Sequence, residues 1–128
     1  MFHPFYPWTF PDAAFPFAVL DVPGHGNLPL HRHRFMEIVY IVAGQGTHVL
    51  DGDVSTIAAG DCFVIPVESA HGYTDVAALH LVNILFDPQL LAPFLPELHA
   101  LPGYHALCTL EPRWRTQHDT RGRLRPSA

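Results

Sequence analysis

His31-Arg32-His33-Arg34-Phe35-Met36-Glu37 decides how the rest of this chain is read. Two histidines one residue apart, with a carboxylate four positions on, open a run rich in β-branched residues, Ile38-Val-Tyr-Ile-Val42. Neutral imidazoles and a carboxylate are the donor types that hold a divalent transition metal. A second segment, Gly60-Asp-Cys-Phe-Val-Ile-Pro66, is followed by His71, which supplies a fourth donor. Side chains alternate along a strand, so His31 and His33 share a face and Glu37 has their parity. In a straight strand Glu37 would still lie about 13 Å from His33, at ~3.3 Å per residue. One ion cannot bridge that gap, so a shared site requires the backbone to bend between Arg34 and Met36, with His71 arriving from the Pro66–Gly72 turn.

Composition sets the outer limits. A chain of 128 residues is one domain and buries roughly two thirds of its unfolded surface. Thirteen prolines and nine glycines favour short strands and tight turns over long helices. No apolar run reaches the ~20 residues needed to span a bilayer. The start, Met1-Phe-His-Pro-Phe-Tyr-Pro-Trp8, lacks the basic segment of a secretory signal. Cys62 and Cys108 are too few and too far apart for a metal knuckle and read as buried thiols in a cytoplasmic protein. Charge is uneven. Residues 1–112 carry two arginines against eleven acids, whereas residues 113–128 carry five arginines against Asp119, and lysine is absent. The basic end reads as a solvated linker rather than a nucleic-acid contact.

Along the chain, residues 1–14 are an aromatic, proline-rich arm expected to pack on the body. The body, 15–112, reads as short strands: Phe15–Val22, ended by Pro23-Gly; Glu37–Ala43, covered on both faces; a turn at Gly44-Gln-Gly46 into Thr47–Leu50; and a hairpin at Asp51-Gly52. Val54–Ala58, Cys62–Ile65, Leu79–Phe86 and Ala106–Leu110 follow, with at most a short helix between Pro88 and Leu101. Strands at this spacing indicate an all-β sandwich or barrel. Residues 113–128 form the linker or tail.

The order of these motifs resembles the cupin barrels, double-stranded β-helices of the jelly-roll kind. More closely it resembles the N-terminal sensor domain of AraC-type bacterial transcription regulators. The resemblance rests on His31 through His48, then Asp51-Gly52, Ala59-Gly-Asp61, Ile65-Pro66, His71-Gly-Tyr73, Leu81-Val-Asn-Ile-Leu-Phe-Asp87 and Leu110-Glu-Pro112. It implies a cupin barrel that binds a sugar or other small effector and forms a homodimer. It also implies that DNA is read only through a C-terminal helix-turn-helix domain absent from these residues. The bend that a shared site requires is one that cupin barrels make. Departures are plain: Pro66-Val67-Glu68 stands where cupins have Pro-x-Gly, Asp75 where they have Asn, and four residues rather than five separate Gly26 from His31.

His31, His33, Glu37 and His71 are the candidate metal ligands, for Zn, Ni, Fe or Mn; equally they form a hydrogen-bonded polar cluster at the barrel mouth. Phe35, Tyr73 and Asn83 are the candidate ligand-binding residues, alongside ordinary roles as satisfied groups in a turn or wall. His25, His48, His80 and the other single histidines read as exposed or satisfied, and Tyr40, of opposite parity to Glu37, faces outward. Function divides into a small-molecule-sensing regulatory domain without catalysis, a metal-dependent cupin enzyme (a dioxygenase or a sugar-modifying enzyme), and a plain dimerising module.

Overall fold

A computed structural model describes residues 4–102 and the pair Arg123–Leu124. Its elements are β1 (Phe17–His25), β2 (Leu28–His31), β3 (Met36–Leu50), β4 (Asp53–Ala58), β5 (Cys62–Ile65), β6 (His71–Phe86), a 3₁₀ segment (Pro88–Phe94), α1 (Leu95–His99) and β7 (Arg123–Leu124). All strand pairs are antiparallel. The expected Ala106–Leu110 strand, Cys108 and most of the arginine-rich end lie outside the described residues.

Two long strands organise everything else. β3 and β6 pair from Met36↔Phe86 to Leu50↔His71, and each then serves two further neighbours. The first half of β3 pairs with β5 and its second half with β4. Likewise β6 takes β2 near its start and β1 near its end. The result is two walls, β1-β6-β3-β5 and β2-β6-β3-β4, that share their central strands and close around one interior. Val39, Ile41, Leu50, Ile57, Phe63, Ile65, Leu79 and Leu81 fill that interior.

Gly44-Gln-Gly46 is not the turn the sequence suggests. β3 continues through it with register shifts on either side of Ala43 and Gln45. Such bulges bend a strand without ending it. Gly44 has φ +83°, and a Cβ there would lie 2.2 Å from the carbonyl oxygen of Ala78. The slip inverts the pleat. Glu37, Val39 and Ile41 are buried before it; Gly46, His48 and Leu50 are buried after it. β3 is also not covered on both faces, since Tyr40 and Val42 are exposed on the outside.

Other boundaries move for local reasons. β1 runs on through Pro23-Gly24 to His25 by a bulge after Val22. As an edge strand it tolerates the missing N–H of proline. β2 was unforeseen in the sequence, being short and centred on Pro29. β6 starts eight residues earlier than its apolar run implies, because Asp75 and Ala78 take positive φ (51° and 50°) and kink the strand without breaking it.

The N-terminal segment crosses the barrel mouth. Phe5 forms a parallel bridge with Arg32. The Tyr6 N–H donates to the Arg32 carbonyl at 2.7 Å, and the Arg32 N–H donates to the Pro4 carbonyl at 2.8 Å. Trp8 and Phe10 meet the Phe35 ring edge-on, with centroids 5.5 and 5.6 Å away.

Candidate metal and effector site

The bend the ligand argument demands is present. β2 ends at His31, β3 begins at Met36, and the four residues between carry the chain around a corner. The Glu68 N–H donates to the His33 carbonyl at 2.8 Å, which fastens this corner to the turn leading into His71. His71 is the register partner of both His31 on β2 and Leu50 on β3. Residues 31–37 and residue 71 are thereby drawn to one point.

The donor atoms converge there. His33 Nε2 lies 3.2 Å from His71 Nε2. Glu37 Oε2 stands 3.6 Å from each of these two nitrogens. One ligand atom each from His31, His33 and His71 falls within 4.8 Å of the others. Donors bound to a common ion at ~2.0–2.2 Å stand roughly 3–3.5 Å apart. All four residues are buried, at 6 % exposure or less.

The far side of each imidazole is anchored. Nδ1 of His31 donates to the Pro29 carbonyl and Nδ1 of His33 to the Phe35 carbonyl, both at 2.8 Å. Nδ1 of His71 meets Nε2 of His48 at 3.1 Å. A carbonyl only accepts, so His31 and His33 carry their proton on Nδ1 and turn the Nε2 lone pair inward. His71 Nε2 faces the His33 lone pair at 3.2 Å, where a proton carried by His71 or a shared cation joins the two nitrogens. Outer partners that fix tautomer and ring orientation are the usual accompaniment of metal-ligating histidines. Glu37 Oε2 is a second sign: it is buried and accepts no hydrogen bond from the described residues. The cluster can hold a metal ion.

Electrostatics agree with this geometry. Burial lowers the His71 pKa well below 6.5, and the neighbouring His48, His31 and His33 lower it further, so its imidazole is neutral at pH 7. Burial also lowers that of His31. Tyr73 moves the other way: burial, then the Glu37 charge, raises its pKa well above 10 and keeps it a phenol.

These donors form one end of a cavity of about 180 Å³. Phe35, Tyr73 and Asn83 all line it, as do Leu20 and Val22 of β1. The structure therefore gathers all seven residues singled out from the sequence around one space. Asn83 Oδ1 is buried without a hydrogen-bond partner among the described residues. Four contributors escaped the sequence reading. His48 is satisfied, as expected, but through the imidazole of His71. His25, at the end of β1, lines the cavity with its ring 4.7 Å from that of Tyr73. Tyr6 and Trp8 of the arm line it from outside the barrel.

The sequence profile of the AraC-like ligand binding domain matches residues 18–125. The chain belongs to the AraC-like ligand binding domain family. Relatives of this family member include the HTH-type transcriptional activator RhaR of Enterobacter sp. (strain 638), 32 % identical over 117 residues, which cover 91 % of this chain and 41 % of that protein. RhaR of Klebsiella pneumoniae is 35 % identical over 106 residues, 83 % of this chain and 37 % of that protein. The AraC-like domain described here thus spans well under half the length of these relatives. Among solved structures, an RmlC-like cupin from Shewanella frigidimarina has a TM-score of 0.51 at 22 % identity, covering 58 % of this chain and 68 % of that one. Bacillus subtilis oxalate decarboxylase, whose Mn(II) centres have been studied, scores 0.50 at 16 % identity over 58 % of this chain and 22 % of its own. Both likenesses concern the fold, which is a cupin barrel. Among the described residues no helix is long and apolar enough to cross a membrane.

Proposed function

We propose that this chain is the effector-sensing part of a longer AraC-type transcription regulator, acting as a receptor and not as a catalyst. Residues 1–14 serve as the arm, 15–112 as the barrel and 113–128 as the connector to a helix-turn-helix domain that reads DNA. The regulator works as a homodimer in the cytoplasm. A divalent transition metal, Zn, Ni, Fe or Mn, is held by His31, His33, Glu37 and His71. When bound, such an ion supplies a point of positive charge with open positions that accept effector oxygens.

One observation carries this reading: His31 and His33, each anchored through Nδ1 to a backbone carbonyl, turn Nε2 inward and converge with His71 beside a buried Glu37 oxygen that accepts no hydrogen bond from the described residues. The effector class follows from what the cavity lacks. Asn83 Oδ1 is an acceptor without a donor, so the effector brings hydroxyl groups, with Phe35 and Tyr73 bounding its apolar faces. At ~30 Å³ per water, about 180 Å³ holds roughly six waters, the scale of a small sugar or polyol. Effector binding would favour one arrangement of arm or dimer over another.

Elemental analysis of protein purified without added metal is expected to find about one ion per chain. A thermal-shift and NMR panel of sugars and polyols is expected to find a saturable ligand that is recovered unchanged. Product formation in the loaded samples would support the metal-dependent enzyme instead. Absence of both ion and binder would remove the proposal.

His48→Phe tests the outer shell. The ring stays beside Phe63, 4.6 Å away, while the contact to His71 Nδ1 is lost. Metal affinity is expected to fall about 10–100-fold with the fold intact, measured by competition with a chromophoric chelator. Unchanged affinity would mean that His48 does not position His71.

A further inference from the structure

Outside the barrel mouth lies a second, larger cavity of about 520 Å³. It is bounded by arm residues between Phe5 and Ala13, by Pro16, by the His33–Phe35 corner and by Asp87. Phe35 and His33, stacked at 4.2 Å and 2° from parallel, contribute to the linings of both cavities. The inner cavity is smaller than the ~300–1,000 Å³ typical of small-molecule pockets, whereas the outer one falls within that range.

The chemistry of the outer cavity differs from that of the inner one. Trp8, Phe10 and Phe35 stand nearly perpendicular to one another, with interplanar angles of 77°, 71° and 73°. Three rings so arranged offer edges and faces to a flat apolar body. Beside them Arg34 is exposed, its guanidinium carbon 4.2 Å from the Phe5 ring centroid. No carboxylate of the described residues comes within 4.0 Å of that guanidinium. The cation is thus held over an aromatic ring with its donor fork available, the arrangement that favours a planar anion. Asp87 also lines the cavity; its Oδ1 accepts the Gln89 N–H at 2.9 Å. A carboxylate in the lining disfavours a ligand with a second negative group.

We propose that the space between the arm and the Arg34-Phe35 corner is a second ligand site, taking a small aromatic monocarboxylate. The carboxylate pairs with Arg34 and the ring enters the cage of Trp8, Phe10 and Phe35. The site does not use the metal, although Trp8 and Phe35 also line the inner cavity.

Phenylacetate is the probe, titrated into the full chain by calorimetry, with saturation-transfer NMR to identify the bound ring. Saturable one-to-one binding is expected. Replacing the probe with neutral phenylacetamide, or Arg34 with glutamine, is expected to weaken it at least ~10-fold, because each removes the charge-assisted pair. Ala13→Trp, which fills the cavity, is expected to abolish binding. Intermolecular NOEs from the probe ring are expected to reach Phe10, which lines only the outer cavity, and not Tyr73, which lines only the inner one. The amide comparison needs no variant, so it decides the matter even if a substitution disturbs folding. The site is overturned by failure to saturate below ~10 mM, by equal binding of acid and amide, or by NOEs from the probe to Tyr73, which would place it in the inner cavity. None of these results bears on whether an ion binds to the histidines, which elemental analysis answers separately.

Discussion

Replacing His71 with alanine is expected to take bound divalent metal from about one ion per chain to background, with affinity falling more than ~100-fold. Loss of an outer-shell partner alone typically costs 10–100-fold, so loss of a direct donor costs more. His71 is the centre of the cluster. Its Nε2 lies 3.2 Å from His33 and 3.6 Å from Glu37, and its Nδ1 meets His48. Removing the ring leaves the His33 lone pair, the Glu37 oxygen and the His48 nitrogen without their common neighbour. Elemental analysis and chelator competition read the effect directly. His80→Ala is the control: that ring pairs with Asp21 at 2.6 Å and touches none of the proposed donors. Full metal content in His71→Ala would refute the proposed ligand set. The metal-free protein carries a related pH dependence. The folded His71 imidazole titrates well below 6.5, while the unfolded one takes up a proton near 6.5. Its contribution is therefore complete above pH 6.5 and declines as pH falls below it, as denaturant midpoints at pH 7.5 and 5.5 would register.

Gly44→Ala is expected to lower stability by about 3–5 kcal/mol, a large part of the 5–15 kcal/mol typical of a domain. Two costs combine. A Cβ in the left-handed region costs roughly 1–2 kcal/mol, and here it would lie 2.2 Å from the Ala78 carbonyl oxygen and 2.5 Å from its carbon. Those are backbone atoms of β6, so relief requires the two central strands to separate. A melting temperature lower by roughly 10–15 °C should follow for a domain of this size. Gly52→Ala isolates the conformational part, because Gly52 has φ +86° but nothing within 4 Å of the added carbon. It should cost only about 1 kcal/mol. Equal losses at the two positions would show that the close approach of β3 and β6 contributes nothing.

The cupin barrel was legible because its signals are local and ordered: β-branched runs, the Asp51-Gly52 hairpin, and the Gly60 and Pro66 turns. The candidate site was legible for a different reason. Donors at residues 31, 33 and 37 can share an ion only across a corner, so their spacing by itself requires one. What sequence did not show is how glycine acts when two strands pass close together. Gly44 and Gly46 read as a reversal, yet they accommodate a bulge that inverts the pleat. His48, of even number, therefore faces inward although Glu37, of odd number, does too; strict alternation places it outside. β2 and the start of β6 were hidden similarly, by Pro29 and by the polar, kinked stretch around Asp75, where pairing with distant partners outweighs weak local preference. The arm's contribution to the cavity depends on ring contacts over long sequence separations, which no periodicity encodes.

The register that sets His31 opposite His71 has a kinetic corollary. The proposed donors come from two stretches of chain more than thirty residues apart, and they meet only after the long antiparallel ladder has zipped into its native alignment. An ion bound there would act as a clasp across that ladder, and it would not form early because half-assembled chains lack its geometry. Metal loading should then slow unraveling of the protein far more than it hastens assembly, which makes the departure rate of the ion a clock for how long the barrel stays shut.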